Sequence, residues 1–102
     1  MTDAPPPRYF VVFHAPGPAW EPGVDFRDQP HVNAHVEYFA GQAGQGRIVL
    51  GGPFLDEESG GMMILRAHSQ EEAERIARDD PGARVGFVTA RVRPWLAALS
   101  SE

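Results

Sequence analysis

The strongest constraint on this chain is the order in which its apolar patterns follow one another. Residues 8–15, RYFVVFHA, are a β-branched and aromatic run bounded by PGP, which reads as a buried strand. The next stretch, PGPAWEPGVDFRDQP (16–30), holds four prolines and two glycines and so must be a loop. Loops of this length in compact domains are usually functional or disordered. Trp20 and Phe26 within it would expose apolar surface at a cost of roughly 25 cal/mol per Å², so the loop is expected to fold over something.

A first helix is predicted to begin after Asp28 as N-cap, with Pro30 in the first turn, where its missing N–H does no harm. Val32, Val36, Phe39 and Ala43 step by four, three and four residues and define one apolar face. Gly44 and Gly46 end the helix. RIVLGGPF (47–54) reads as a strand, DEESGG (56–61) as a turn and MMILRA (62–67) as a third strand. The unbroken apolar character of that third strand predicts burial on both faces. The second helix opens with a capping box, Ser69 with Glu72, and turns Ala73, Ile76 and Ala77 inward. Glu71 with Arg75, and Glu74 with Arg78, are spaced as outer i,i+4 pairs. Pro81 disfavours helical geometry at Asp80 and stops the helix there. RVGFVTARVRPW (84–95) is the fourth strand, alternating over Val88, Ala90 and Val92.

Strand, helix, strand, strand, helix, strand is a ferredoxin-like βαββαβ order. It predicts an α+β fold with a four-stranded antiparallel sheet and both helices on one face. FVVF and MMIL are apolar at both parities, so the second sheet face is expected to be apolar and to want a partner. A homodimer, sheet to sheet, is the simple solution. Residues 1–7 and 98–102 read as tails around one domain over 8–97. A chain of 102 residues leaves little depth for an enclosed pocket, so a ligand site is expected to draw on a second subunit.

Charge narrows the partners. The formal net charge is −5, from 14 acidic and 9 basic residues, and every basic residue is an arginine. Nucleic-acid binders need a basic footprint, and these arginines are dispersed, so no nucleic-acid partner is expected. The chain has no cysteine, which excludes disulfides, thiolate nucleophiles and cysteine-ligated metal. No run approaches the ~20 apolar residues of a membrane span, and MTDAPPPRYF lacks a signal-peptide pattern. The expectation is a soluble, cytoplasmic protein with no membrane partner.

At 100° per residue His31, His35, Tyr38 and Gln42 fall within roughly 60° of one another on the first helix, beside its apolar face. As a metal pair His31 and His35 lack the H-E-x-x-H context, because Val32 follows His31. A third ligand would have to come from elsewhere, and no metal is assigned. His31, in the first turn, is expected to face solvent. Asp80 continues the inward stripe of the second helix, at a C-terminus where the dipole disfavours negative charge. A carboxylate there needs a donor or a cation. Two readings stay open: it caps a local turn through Gly82 or Ala83, or it meets His35 across the shared sheet face. A carboxylate on one imidazole nitrogen fixes the tautomer and leaves the other nitrogen to move a proton near neutral pH.

PGPAW (16–20), RDQP (27–30), AHVEYF (34–39), GRIVLGGPF (46–54), GGMMIL (60–65), EEAERIARDDP (71–81) and RVRPW (91–95) together resemble the YCII-related (YciI-like) family, in order and at the expected spacing from about residue 8 to 95. The resemblance implies a ferredoxin-like subunit that dimerises into an α/β barrel, similar to the muconolactone-isomerase architecture. It also implies a site built on one helical histidine and the aspartate of a DP step, which fall on His35 and Asp80. His31 stands where relatives carry an aromatic or other residue. Relatives follow DP with a bulky or aromatic residue; Gly82 follows here, which is expected to widen the pocket. One branch of the family resembles a dehydrochlorinase of chlorinated hydroxyhydroquinones, and related barrels isomerise lactones or oxygenate without cofactors.

The resulting expectation is a cofactor-independent lyase or isomerase acting on a small, often cyclic molecule. His35 is its general base or acid and Asp80 the orienter of that imidazole. Trp20, Phe26 and Tyr38 are expected as pocket walls and Arg27 as a contact for an anionic substrate. Trp20 as a core anchor and Arg27 as a solvated side chain are the structural alternatives. A non-catalytic dimeric small-molecule-binding protein is the second functional reading, and a zinc enzyme or cofactor-free oxygenase the third.

Overall fold

Strand β1 (Arg8–Pro16) is the element on which the sheet is built. It pairs antiparallel with β3 (Gly61–Ala67) on one side and with β4 (Val88–Trp95) on the other. β2 (Ile48–Pro53) pairs antiparallel with β3, giving the order β2-β3-β1-β4. Helices α1 (Val32–Gly44) and α2 (Gln70–Arg78) share one face of this sheet, and a short α3 (Pro81–Arg84) follows α2. The fold is α+β with the ferredoxin-like order. The computed structural model describes residues 8–56, 60–99 and 101. The expected tail at 1–7 lies outside them, as do Glu57, Glu58 and Ser59 of the expected turn.

Alternation decides what each strand buries. Phe10 and Val12 of β1 join Met63, Leu65 and Ala67 of β3 in a core closed by Phe39 from α1 and Ala73, Ile76 and Ala77 from α2. Burying the larger side chains of this set stabilises by about 1.5–3 kcal/mol each. The expected burial of β3 on both faces is not met within one chain. Met62, Ile64 and Arg66 are only half-buried, because the helices cover a single sheet face. The register sets Val11 opposite Ile64 and Phe13 opposite Met62 on that second face, with Leu50 beside Ile64. Leu50 is 70% exposed and Trp95 45%.

Several local boundaries differ from the sequence reading. Asp28 does not cap α1; it closes a 3-10 turn over Phe26–Asp28, itself capped by Asp25, whose side chain accepts from the Arg27 N–H. Pro30 keeps Gln29 extended, so α1 starts after His31, which makes no side-chain cap. α1 is also turned from its expected orientation: Val32, His35 and Phe39 are its buried residues, while Val36 is 48% exposed. The Ser69 hydroxyl accepts from the Glu72 N–H as expected. Glu72 accepts from the N–H of His68, one residue before the expected partner. The ion pair on α2 joins Arg75 to Glu72 at 3.9 Å, three residues apart, in place of the i,i+4 pairs expected. Asp80 is the N-cap of α3 and not the end of α2, and with that turn inserted β4 begins at Val88 and not at residue 84.

One polar group sits badly in this scheme. His14 falls on the inward parity of β1, after Phe10 and Val12, and is 6% exposed. Burial pushes its imidazole down from 6.5 to about 4; nearby His35 adds to the shift and Asp80 opposes it. The folded state therefore holds the ring neutral where the unfolded chain protonates it. Between 6.5 and about 4 the unfolded state binds more protons, so stability is expected to fall as pH drops through that window. The loss attributable to His14 is on the order of 3 kcal/mol. Denaturant unfolding over this pH range should show His14→Phe losing that part of the slope; identical slopes in the two proteins would contradict the burial cost.

Candidate active site

The DDPGAR turn builds the centre of the site. With Asp80 at the N-cap of α3 and Pro81 in its first turn, one carboxylate oxygen, Oδ1, accepts from the Gly82 N–H at 2.8 Å. The other, Oδ2, lies 2.7 Å from Nδ1 of His35. Asp80 is fully buried and His35 nearly so. The two readings left open by the sequence are thus both realised, one on each oxygen. An ionised carboxylate only accepts hydrogen bonds, so against it Nδ1 of His35 carries the donated hydrogen and Nε2 takes no part in that bond.

Gly82 sets how close these groups come. A Cβ at this position would lie 2.9 Å from Nδ1 of His35 and 3.0 Å from its Cβ, so a side chain there would force the imidazole to shift. Gly82 is buried behind His35 and is not among the residues lining the cavity described next. The expectation that it widens the pocket is therefore replaced: it lets α3 press against the back of the ring.

His35 lines a cavity of about 350 Å³ together with His14, Trp20, Phe26, Phe39 and Met63. Bare backbone forms the opposite wall, through Gly51, Gly52, Gly60 and Gly61. At Gly51 a Cβ would come within 2.8 Å of the Met63 Cβ, so glycine is what allows β2 and β3 to close here. Phe87 packs edge-on to His35 at 5.7 Å, and Trp20 stacks on Phe87 at 5.1 Å with planes 9° apart. A larger, open hollow of about 590 Å³ between α2, α3 and β4 contains neither histidine nor Asp80, so the His35–Asp80 pair belongs to the smaller one.

Gln29, to which the sequence pattern gives no role, shapes the loop over this cavity. It is 3% exposed. Its side-chain amide donates to the carbonyls of Glu21 (2.8 Å) and Val24 (2.9 Å) and accepts from the Glu21 N–H (2.9 Å). Those three bonds satisfy a turn that no secondary structure would satisfy. At the other end of the loop, Gly17 and Ala19 donate to Phe87 and Gly86. Trp20 and Phe26 are thereby held in the cavity wall.

The remaining predicted site residues lie elsewhere. The Tyr38 hydroxyl donates to the Ile76 carbonyl at 2.6 Å, bracing α1 on α2, and Tyr38 does not line the cavity. Burial raises its pKa above the usual phenol value. Arg27 has a side chain 87% exposed, 3.5 Å from Asp25, outside the cavity. His31 is exposed, with its ring 6.4 Å from Phe87. Among the described residues, no three His, Cys, Asp or Glu side chains gather as a metal-ligand set. His14, also unassigned by the sequence reading, presents its ring edge-on to His35 at 5.0 Å. Its place on the inward parity of an apolar strand was the available signal.

Comparison with known proteins agrees with this geometry at the level of the fold. A solved structure of 5-chloro-2-hydroxyhydroquinone dehydrochlorinase from Burkholderia phenoliruptrix AC1100, in complex with 2,5-dihydroxybenzoquinone, superposes with a TM-score of 0.67. It is 21% identical, and the match covers 86% of this chain and 93% of that one. The YjpA protein of Bacillus subtilis strain 168 is 32% identical over 68 residues, which is 67% of this chain and 79% of the relative. The YCII-related domain model matches residues 9–96, nearly all of the strands and helices described above, and the chain belongs to the YCII-related family.

Proposed function

We propose that this protein is a general acid–base enzyme of the lyase or isomerase class, acting on a small, often cyclic molecule. The observation that carries the proposal is the buried His35–Asp80 hydrogen bond of 2.7 Å on the wall of a cavity. Asp80 holds His35 in one tautomer, and Nε2 takes or returns a proton on a molecule held beneath Trp20 and Phe26. The chain's own side chains suffice for that step: a positioned imidazole contributes about 10²–10⁴-fold to proton transfer. The fold likeness to a dehydrochlorinase supports the lyase reading.

A second element of the proposal is a homodimer. The second sheet face presents Phe13, Met62 and Ile64 around a buried Val11, with Leu50 70% exposed beside them. An apolar face of this kind is stabilised by covering it, and a second copy presents the same surface. The bulk of the wild-type protein is expected to sediment as a dimer in analytical ultracentrifugation, with Leu50→Asp shifted toward monomer. A monomeric wild type would contradict this arrangement.

The chemistry is tested by exchange of carbon-bound hydrogen for solvent deuterium in resorcinol and in small lactones, followed by NMR. Wild type is expected to accelerate exchange over buffer in at least one of them, and His35→Ala to lose about 10²-fold or more of that rate. Asp80→Asn is expected to lose much of it too, because an amide offers one acceptor oxygen where the carboxylate uses two. His31→Ala should retain most of it. Equal loss in His31→Ala and His35→Ala, or no acceleration in any case, would contradict the proposal.

A further inference from the structure

The dyad uses one imidazole of the cavity, and the second is unexplained. His14 lines the same cavity, is 6% exposed, and its Nε2 is buried with no hydrogen-bond partner among the described residues. Buried side-chain nitrogens are nearly always partnered, so each exception calls for an explanation. Packing does not supply one. The ring sits edge-on to His35 at 5.0 Å and to Phe39 at 5.5 Å, a place that an apolar ring would fill without an orphaned nitrogen.

The rest of the wall says what could satisfy the ring. Trp20, Phe26, Phe39, Met63 and glycine backbone surround the two imidazoles, and among the described residues no arginine, aspartate or glutamate lines the cavity. Asp80 lies behind His35, already bonded to it. A charged ligand would be desolvated here without a counter-ion. A flat, apolar body matches the aromatic walls.

We propose that His14 is a second ligand-contacting residue, whose imidazole hydrogen-bonds a hydroxyl group on a small, uncharged, planar molecule seated against His35. The burial that holds the His14 ring neutral to about pH 4 fits this role, since a neutral imidazole can both accept from and donate to a hydroxyl. The two rings then divide the work: His35, oriented by Asp80, faces the mobile proton, and His14 fixes the position of the oxygen. The proposal deepens the functional reading above by naming the ligand class of the same cavity, and its test reads binding alone, so it can fail or succeed independently of any turnover.

Phenol is the probe, with toluene as the same body without the hydroxyl. In full-length protein with ¹⁵N-labelled histidine, phenol is expected to shift the ring-nitrogen resonances of His14 and His35 along one saturating curve. Exposed His31 and His68 should stay unmoved. Phenol should bind at least about tenfold more tightly than toluene, a difference of about 1.4 kcal/mol, and His14→Phe should erase that preference while still admitting both molecules. Saturation that moves His35 and leaves His14 unchanged would overturn the proposal. So would equal affinity for phenol and toluene in the wild type, or no phenol binding at all. Should His14→Phe fail to fold, the wild-type titration and the phenol–toluene comparison decide alone.

Discussion

One contact organises this molecule: the hydrogen bond between His35 and Asp80, 45 residues apart in sequence and 2.7 Å apart in space. A carboxylate removed from water needs its lone pairs met. Asp80 meets them from two sides, with the Gly82 N–H on Oδ1 and His35 on Oδ2. The same residue thus starts α3 and anchors α1. Losing either bond would leave a buried charge short of a partner, so the local fold and the site geometry share one point of failure.

The surrounding structure serves that contact through absence as much as presence. Gly82 has no side chain to push the imidazole away, and Gly51 has none to hold β2 off β3. Where the wall needs bulk, the proline-rich loop supplies Trp20 and Phe26, and Gln29 holds that loop in shape with three hydrogen bonds to its backbone. An apolar, water-poor surround strengthens the electrostatics of the dyad. It also explains why a neutral His14 can sit 5.0 Å from His35 without a second buried charge.

Much of the architecture was legible because period-2 and period-3.6 patterns survive in so short a chain. The order of elements, both main helices and the inward set Ala73, Ile76 and Ala77 follow from spacing together with the capping and proline signals at the helix ends. The failures have physical causes. α3 is four residues long, too short to show a period, so Asp80 read as the end of a helix when it begins one. Val36 and Ala43 are apolar yet line an open cavity, so counting them as core turned α1 away from its true orientation and left His35 at a boundary. Tyr38 shares the angular stripe of His35, but its long side chain reaches the Ile76 carbonyl on α2, a partner that helix geometry by itself does not reveal. His14 gained meaning only when topology placed a second imidazole beside it. Arg27 sits in a loop whose path depends on Gln29, and no periodicity describes that path.

On the proposed mechanism, Asp80 dictates which nitrogen of His35 is left to act. Long-range ¹H–¹⁵N NMR of the His35 ring at neutral pH measures this directly. The neutral ring is predicted to carry its hydrogen on Nδ1, with that proton displaced far downfield, and to lose both features in Asp80→Asn. A neutral ring protonated on Nε2, or a tautomer mixture that Asp80→Asn leaves unchanged, would contradict it.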